Sequence, residues 1–251
     1  MKTQFKNILE IIDMVTGNHS ATNTLFQASD SFKAEDKIEL EAWSGKSISQ
    51  IKEIISPSYG KRQIVFNLFM DIHSSMHAPL VFSKFDVNTN PQISYSFENT
   101  DFGEIVIAST AEGICYLVFY SGEESKMNGI LQKEFPGSAI SERRDEHQEA
   151  ALNYLKGNAT KAIHLHVKGT DDQLQIWEAL TRVPSGKLIS YGTLAKATNH
   201  MAQDIGIAMG DNRIAMLIPC HRVIKATGEL GQYHWGAKRK QAMIIKEARL
   251  S

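Results

Sequence analysis

The spacing of apolar side chains divides the chain into three parts. In the first part, FKNILEIIDMV (5–15) and DKIELEAWSG (36–45) place apolar residues three and four positions apart, which predicts amphipathic helices. SPSYG (56–60) and HAP (77–79) both contain proline and are predicted to interrupt these helices. Residues 1–90 are therefore expected to form a mostly helical N-terminal region.

Apolar and polar residues alternate from position 93 onward. Three segments, ISYSFEN (93–99), EIVIAST (104–110) and GICYLVFYS (113–121), are separated by short turns and predict a three-stranded meander. The remaining predicted elements are the helices EESKMNGILQKEF and DEHQEAALNYLKG and the alternating strand IHLHV. Residues 91–168 are thus predicted to form a small three-stranded α/β domain.

Three helical segments dominate the last part of the chain. DDQLQIWEALTRVP (171–184) has one of its two leading aspartates as the expected N-cap, and SYGTLAKATN (190–199) is expected to be capped by Ser190. MAQDIGIAMGDN (201–212) follows after a tight link, and two short helices joined in this way are typical of a helix-turn-helix. Residues 169–251 are predicted to be all-α, so the fold class is α/β plus all-α.

The composition is that of an ordinary globular protein, with 42% hydrophobic and 22% charged residues. No run of about 18 apolar residues could cross a membrane, and the first residues contain no secretory cleavage pattern. The two cysteines, Cys115 and Cys220, make neither a disulfide framework nor a CxxC metal pair. We therefore expect a soluble, cytoplasmic protein with reduced thiols and no membrane partner.

The net charge of −1 conceals an uneven distribution of charge. Residues 173–251 carry 11 Lys+Arg and 5 Asp+Glu, a net charge of +6, whereas residues 1–172 carry 16 and 23, a net charge of −7. Basic side chains attract a polyanion such as DNA. Only the last third of the chain is therefore expected to approach one.

Cys220 has a sequence context that favours reactivity. A free thiol is mostly protonated at neutral pH, so a nucleophilic cysteine needs a base or a cation, and His221 and Arg222 follow directly. Side chains of consecutive residues usually diverge, so His221 could serve only through a folded turn or a bridging water. The alternative is that Cys220 is a small buried apolar residue, as expected for Cys115.

Three segments together resemble one family. IPCHRVI (218–224), LQIWEALTRVPSGKLISYGTLA (174–195) and GQYHWGAKRKQAMIIKEA (231–248) are similar to the O6-alkylguanine-DNA alkyltransferases, the methylated-DNA–protein-cysteine methyltransferases. The resemblance is greatest to the bacterial Ada type and runs from about residue 92 to the C-terminus. It implies a ribonuclease-like α/β domain followed by a winged helix-turn-helix catalytic domain.

The resemblance also implies the reaction. An alkyl group passes irreversibly from O6-alkylguanine in double-stranded DNA to the cysteine, with O4-methylthymine as a second candidate lesion. Water does not cleave the thioether product, so one molecule repairs one lesion. The family precedent implies a monomer and no cofactor or metal.

The family pattern assigns roles to individual residues. Cys220 is the nucleophile, a relay of His221, water and Glu247 activates it, and Asn212 orients the active-site turn. The Tyr191 hydroxyl assists the departing base. The expected pocket residues are Tyr233, His234 and Met209, and the expected DNA-binding residues are Gln203, Arg222 and Ser190; Trp235 is expected to be core.

Two features depart from the family pattern. Gln203 occupies the position at which the family has an arginine that enters the duplex, and its helix has two acids and no base, which predicts weaker DNA binding. Residues 41–64 resemble an AraC-like helix-turn-helix in degenerate form, although an unrelated helical cap is an equal alternative. No cysteine precedes Cys115, so the Ada zinc-cysteine sensor is absent from this sequence.

Two competing functions remain open. A lesion-binding or regulatory DNA protein with little repair activity is favoured by Gln203, whereas Cys220 and Glu247 argue against it. A cysteine hydrolase is disfavoured because it needs an oxyanion site and turnover.

Two further groups of residues have more than one interpretation. His164 and His166 share one strand face but lack further ligands for zinc. KRK (238–240) is either a solvated face or a phosphate contact.

Overall fold

A mixed β-sheet forms the centre of the molecule. The computed structural model describes residues 2–16, 33–65, 79–158 and 161–248. The strands are β1 (Leu80–Lys84), β2 (Ile93–Thr100), β3 (Gly103–Thr110), β4 (Gly113–Phe119), β5 (Ile140–Glu142) and β6 (Ile163–Val167). They form one six-stranded sheet in the order β1-β6-β4-β3-β2-β5.

The predicted meander is present, and its three strands are half of the strands of the sheet. Strands β2, β3 and β4 pair antiparallel, as their short turns require. β6 and β5 add parallel strands on either side, and β1 then pairs with β6 from Leu80 to Lys84. The predicted strand IHLHV is β6, whereas β1 and β5 were not expected, so the domain described as three-stranded has a six-stranded sheet. The sheet also begins ahead of the expected boundary at residue 91. Parallel pairing joins distant segments, so local alternation does not reveal it.

Both faces of the sheet are covered, which explains why every residue of β4 is buried. Helix α6 (Glu146–Leu155) covers one face through Ala151 and Leu152. Helix α5 (Met127–Glu134) covers the other face, where Met127 and Leu131 pack in one cluster with Cys115 of β4. Burial raises the pKa of Cys115 far above its usual value, so this thiol is inert, as expected.

Three helices and a small strand pair follow the sheet. α7 (Asp171–Thr181), α8 (Tyr191–Thr198) and α9 (Ala202–Asp211) correspond to the three predicted helical segments. Ser190 caps α8 as expected, by accepting from Thr193 N at 3.0 Å. The N-cap of α7 is Thr170 rather than an aspartate, because Thr170 and Gln173 form a reciprocal capping box. The strands β7 (Ile189–Ser190) and β8 (Val223–Ile224) pair in parallel.

The segment that carries Cys220 is attached to the sheet. Leu117 N, at the end of β4, donates to Arg213 O at 2.7 Å, and Ala215 N donates back to Leu117 O at 2.7 Å. A short 3-10 turn, Cys220–Arg222, then leads into β8. Helix α10 (Ala237–Glu247) packs against this turn and ends the described chain near residue 248. The cysteine therefore lies on rigid structure rather than on a free loop.

The N-terminal helices share a core with the C-terminal part. They are α1 (Lys2–Thr16), α2 (Ala34–Ser44), α3 (Ile48–Ile54) and α4 (Pro57–Gln63). Ile8, Ile11 and Ile12 of α1 lie in one buried cluster with Ile244 and Ile245 of α10. No helix in the described residues is long and apolar enough to span a bilayer.

SPSYG begins a helix instead of interrupting one. The hydroxyl of Ser56 accepts from Tyr59 N at 3.2 Å, and Pro57 occupies the first turn of α4, where its missing N–H is not needed. The expected interruption at residues 77–79 falls mostly outside the described residues, which resume at Pro79.

Candidate active site

Asn212 fixes the turn that carries Cys220. Its side chain is fully buried at the C-terminal end of α9. The amide Nδ2 donates to Ile218 O and to Cys220 Sγ, both at 3.1 Å, and Oδ1 accepts from Ile214 N at 2.8 Å. One side chain therefore joins both ends of the 212–220 segment and contacts the thiol itself.

The Cys220 thiol is protonated in the resting site. Its side chain is buried, with a relative exposure of 4%, and burial raises its pKa. Hydrogen bonds from Asn212 and Tyr233 and the charge of Lys240 act in the opposite direction. These three groups favour the thiolate once a base removes the proton.

His221 is a neutral base supported by a carboxylate. Its Nε2 lies 2.9 Å from Glu247 Oε1, while its buried Nδ1 has no hydrogen-bond partner among the described residues. Burial lowers the pKa of His221, and Glu247 opposes this only in part. We assign the proton to Nε2, which leaves Nδ1 as an unoccupied acceptor.

The contact between His221 and Glu247 is direct, which corrects the expected order of histidine, water and glutamate. Burial raises the pKa of Glu247, but its interactions with the His221 ring and the Arg222 guanidinium, which both donate hydrogen bonds to it, outweigh burial and hold this pKa far below its usual value. The carboxylate therefore stays ionised beside the imidazole.

The contacts of Arg222 lie inside the protein, which argues against the expected DNA contact. Its Nε and Nη2 donate to Glu247 at 2.9 and 2.8 Å, and its Nη1 donates to Val183 O at 2.5 Å. The guanidinium is thus used inside the protein, where it neutralises the buried carboxylate. We withdraw Arg222 as a DNA contact.

Lys240 is a site residue that sequence analysis missed. It is 1% exposed, and its Nζ donates to Val223 O at 2.6 Å and to Gln232 O at 3.4 Å. Burial lowers its pKa to about 8, although the nearby Cys220 raises it. The segment KRK (238–240) was expected to face solvent or phosphate. Lys240 instead lies on the buried face of α10, because Met243 and Ile244 follow it by three and four positions.

Two tyrosines approach the thiol from different elements. Tyr191 begins α8, is half-buried, and has its pKa raised by burial and then by Cys220. The Tyr233 hydroxyl donates to Met243 Sδ at 3.8 Å, and burial raises the pKa of Tyr233, as does the neighbouring Cys220 thiol. Met209 belongs to the same apolar cluster as both tyrosines and Cys220.

His234 and Trp235 lie beside this group. The side chain of His234 is exposed and packs edge-on against Trp235, with ring centroids 5.0 Å apart. Trp235 packs against the buried clusters on both sides of the sheet, in agreement with the expected core role. Tyr233 therefore interacts with the thiol, Met209 is buried in the same core as Cys220, and His234 is exposed to solvent.

The outer surface of helix α9 carries no cation. Gln203 is exposed, as are Met201 and Ile207, with relative exposures of 72% and 51%. The two acids have local partners, since Asp204 accepts from Met201 N at 2.9 Å and Asp211 accepts from Gln173 at 2.8 Å. The absence of a basic residue on this helix agrees with the sequence.

The strand histidines are not a metal pair. His166 is buried and hydrogen-bonds to Thr110 Oγ1 at 2.8 Å, whereas His164 is exposed. Within the described ranges, no three His, Cys, Asp or Glu side chains are grouped so that they could hold a metal ion. His166 is therefore held by a hydrogen bond within the sheet, whereas His164 faces solvent.

Comparisons with known proteins identify the family. A family model described as the DNA-binding domain of 6-O-methylguanine DNA methyltransferase matches residues 171–249. The inducible methylated-DNA–protein-cysteine methyltransferase of Bacillus subtilis is 33% identical over 154 residues, which cover 58% of this chain and 84% of that protein. The chain belongs to the methylated-DNA–protein-cysteine methyltransferase family.

Two further relatives place the chain within this family. The regulatory protein Ada of Salmonella typhimurium is 28% identical over 166 residues, which cover 63% of this chain and 46% of that protein. The chain thus spans about half the length of the Ada relatives that it matches. The structure resembles Mycobacterium tuberculosis OGT, with a TM-score of 0.50 and 28% identity, covering 64% of this chain and 96% of that chain. The fold is therefore alkyltransferase-like, with a mixed sheet and helices.

Proposed function

We propose that the protein repairs DNA by transferring an alkyl group from O6-alkylguanine to Cys220, once per molecule. The observation that carries this proposal is the connected set of Asn212, Cys220, His221 and Glu247 around one buried thiol. A cysteine with only a packing role would not require a neutral histidine with a free acceptor nitrogen and a supporting carboxylate.

The chemistry follows from these groups. The thiol proton passes through one bridging water to Nδ1 of His221, and Glu247 stabilises the imidazolium that forms. The thiolate attacks the alkyl carbon, so the S–C bond forms as the C–O6 bond breaks and oxygen keeps the electron pair. A hydrogen bond from Tyr191 stabilises the guanine anion, which takes up a proton from solvent while His221 returns its proton to water.

The target base has to leave the duplex to reach the buried thiol. We propose that Tyr233 and Met209 form the walls of the base pocket, because both pack in the cluster that contains Cys220. His234 stands at its mouth, since its ring is exposed beside Trp235. Guanine, with O4-methylthymine as a second candidate, would enter between these rings.

The DNA-binding element is proposed to be a winged helix-turn-helix built from α8, α9 and the β7–β8 pair. Gln203 would insert into the duplex from the exposed surface of α9. The Ser190 side chain is buried and caps α8, so the backbone at the start of α8 rather than this hydroxyl would meet the phosphates. The proposed divisions are a helical N-terminal region, a sheet domain that begins near Leu80, and a catalytic domain from residue 169. Because all of the site residues lie in one chain, we propose that the protein acts as a monomer.

A regulatory or lesion-binding protein is the second candidate. The exposed surface of α9 contains no cation, and glutamine gives base contacts without the charge that phosphates attract. Residues 41–64 form α3, α4 and part of α2, a short helical array that suits either a degenerate AraC-like module or a simple cap.

Intact-protein mass distinguishes these candidates. The protein is mixed with a duplex that contains O6-methylguanine, with Cys220→Ser as the control. The proposal expects one added methyl group on the unaltered protein and none on the control. A folded protein that binds the duplex without gaining mass would support the lesion-binding function, and repeated release of product would instead indicate a hydrolase.

A further inference from the structure

Several basic residues of the last third are bound by groups of the protein itself. Lys240 is buried, Lys238 pairs with Asp13 at 2.8 Å, and Lys246 pairs with Asp101 at 3.3 Å. Arg222 is bound to Glu247 at 2.8 Å. The net charge of +6 in this region therefore overstates the cations that are free to meet DNA. Arg182, Lys187, Lys196 and Lys225 remain exposed, but α9 contains no cation.

A group of exposed cations lies where α4 meets the catalytic domain. Lys61 and Arg62 are exposed on α4, and Lys225 is exposed directly after β8. In the parallel β7–β8 pair, Ser190 is opposite Ile224, so Lys225 leaves the pair at the same end as the start of α8. Lys225 therefore lies beside the proposed helix-turn-helix.

Backbone contact holds α4 against the turn that contains Lys225. A Cβ atom on Gly60 would overlap the carbonyl oxygen of Gly228, and a Cβ atom on Gly228 would overlap the carbonyl oxygen of Pro57. Gly228 also has a φ of +89°, which other residues rarely adopt. Only glycine at both positions permits this approach, so Lys61 is brought next to the turn.

The other end of α4 is joined to the strand that leads into α8. Val65 N donates to Leu188 O at 2.8 Å, and Leu188 N donates to Gln63 O at 3.0 Å. Lys187 Nζ lies 3.3 Å from Gln63 Oε1 and adds a further cation at this end of α4. Helix α4 thus contacts both segments that flank the start of α8.

We propose that α4 extends the DNA-binding surface, with Lys61 and Arg62 contacting phosphates beside the lesion together with Lys225. This inference rests on the proposed function, because it takes double-stranded DNA as the partner. Arg62 pairs with Glu53 at 2.6 Å and Lys225 pairs with Glu229 at 2.7 Å, but all four side chains are more than half exposed. Such exposed pairs are weak, and a phosphate can replace the carboxylate.

The test is the salt dependence of duplex binding. Binding of a fluorescein-labelled duplex is titrated at several salt concentrations with the full chain and with the double variant Lys61→Gln, Arg62→Gln. The slope of log K against log[salt] is expected to lose about 1 for each phosphate contact removed, so about 2 in total. The control is Lys133→Gln, Lys156→Gln, which makes the same charge change at exposed positions of the sheet domain.

Equal slopes for the two double variants would overturn the proposal. Lys61→Gln alone, which leaves the Glu53–Arg62 pair intact, gives an independent value if the double variant unfolds. Glu53→Gln releases Arg62 and is expected to strengthen binding at low salt; unchanged or weaker binding counts against the proposal. If the unaltered protein gains a methyl group on Cys220 but the two double variants have equal salt slopes, only the α4 contact is refuted. If Lys61→Gln, Arg62→Gln lowers the salt slope but the unaltered protein gains no methyl group, only the repair function is refuted.

Discussion

The amide nitrogen of Asn212 lies 3.1 Å from Cys220 Sγ and equally close to the carbonyl oxygen of Ile218. The thiol is therefore positioned by a residue eight positions earlier in the chain, on the preceding helix. This contact both shapes the turn and favours the thiolate, so stability and reactivity depend on the same side chain.

Replacing Asn212 is expected to reduce both the stability of the protein and the reactivity of Cys220. Asn212→Ala leaves Ile214 N without its acceptor in a buried site, which should cost about 1–3 kcal/mol of unfolding free energy. Methyl transfer should also slow, because the thiolate loses a hydrogen bond. Denaturant unfolding and single-turnover transfer measure the two effects, with the exposed Asn153→Ala as control. A variant with unchanged stability and rate would show that the turn holds its shape without this amide.

Glu247→Gln is expected to slow transfer by about 10²- to 10⁴-fold, as in other sites where a carboxylate supports a catalytic histidine. The physical reason is that the imidazolium of His221 loses the charge beside it. Rapid-quench measurement of methylated protein gives the rate, and the exposed Glu149→Gln is the matched control. Transfer at the unaltered rate, in a variant with intact secondary structure, would remove Glu247 from the mechanism.

The buried pair also predicts acid sensitivity. The pKa of His221 is below its ordinary value of 6.5, and the pKa of Glu247 is below 4.5. The unfolded chain therefore binds more protons than the folded protein as pH falls, so stability should decrease below pH 6.5 and further below pH 4.5. Urea unfolding from pH 8 to 4 tests this, and Glu247→Gln should lack the lower step. A flat profile would contradict the buried ionised pair.

Lys240→Met is expected to slow transfer roughly 10- to 100-fold, because the thiolate loses its nearest buried cation. The pKa of Lys240 is about 8, so the contribution of its charge should fade as pH rises through that value. The pH–rate profile of the unaltered protein should show this decline, and that of Lys240→Met should not. Lys156→Met is the control at an exposed position. If the transfer rate of Lys240→Met declines at high pH as that of Lys156→Met does, a group other than Lys240 causes the decline.

Gln203→Arg is expected to strengthen duplex binding and to steepen the salt slope by about 1, since an exposed cation is added to α9. Gln175→Arg makes the same change at an exposed position of α7. Equal effects of the two variants would mean that α9 does not face the duplex.

Local elements were predictable because their signals are short-range. The apolar spacing and caps of α8 and α9 and the turns of the β2–β4 meander lie within a few residues of each other. The parallel strands β1 and β5 were missed, because their partners are distant in sequence and β5 has only three residues. The helix begun by Ser56 and Pro57 was mistaken for a break, although serine before proline is also a helix start signal.

Residue identity and local order alone therefore determine the motif, the family and the helices that surround Cys220. Tertiary structure decides which charges meet: Glu247 reaches His221 from 26 positions away, Lys240 turns inward, and Arg222 is withdrawn from the surface. The close approach of Gly60 to Gly228 is likewise decided by the tertiary structure. Hydrogen bonding and desolvation depend on distances of a few ångström in space, and a linear pattern does not encode these distances between remote residues.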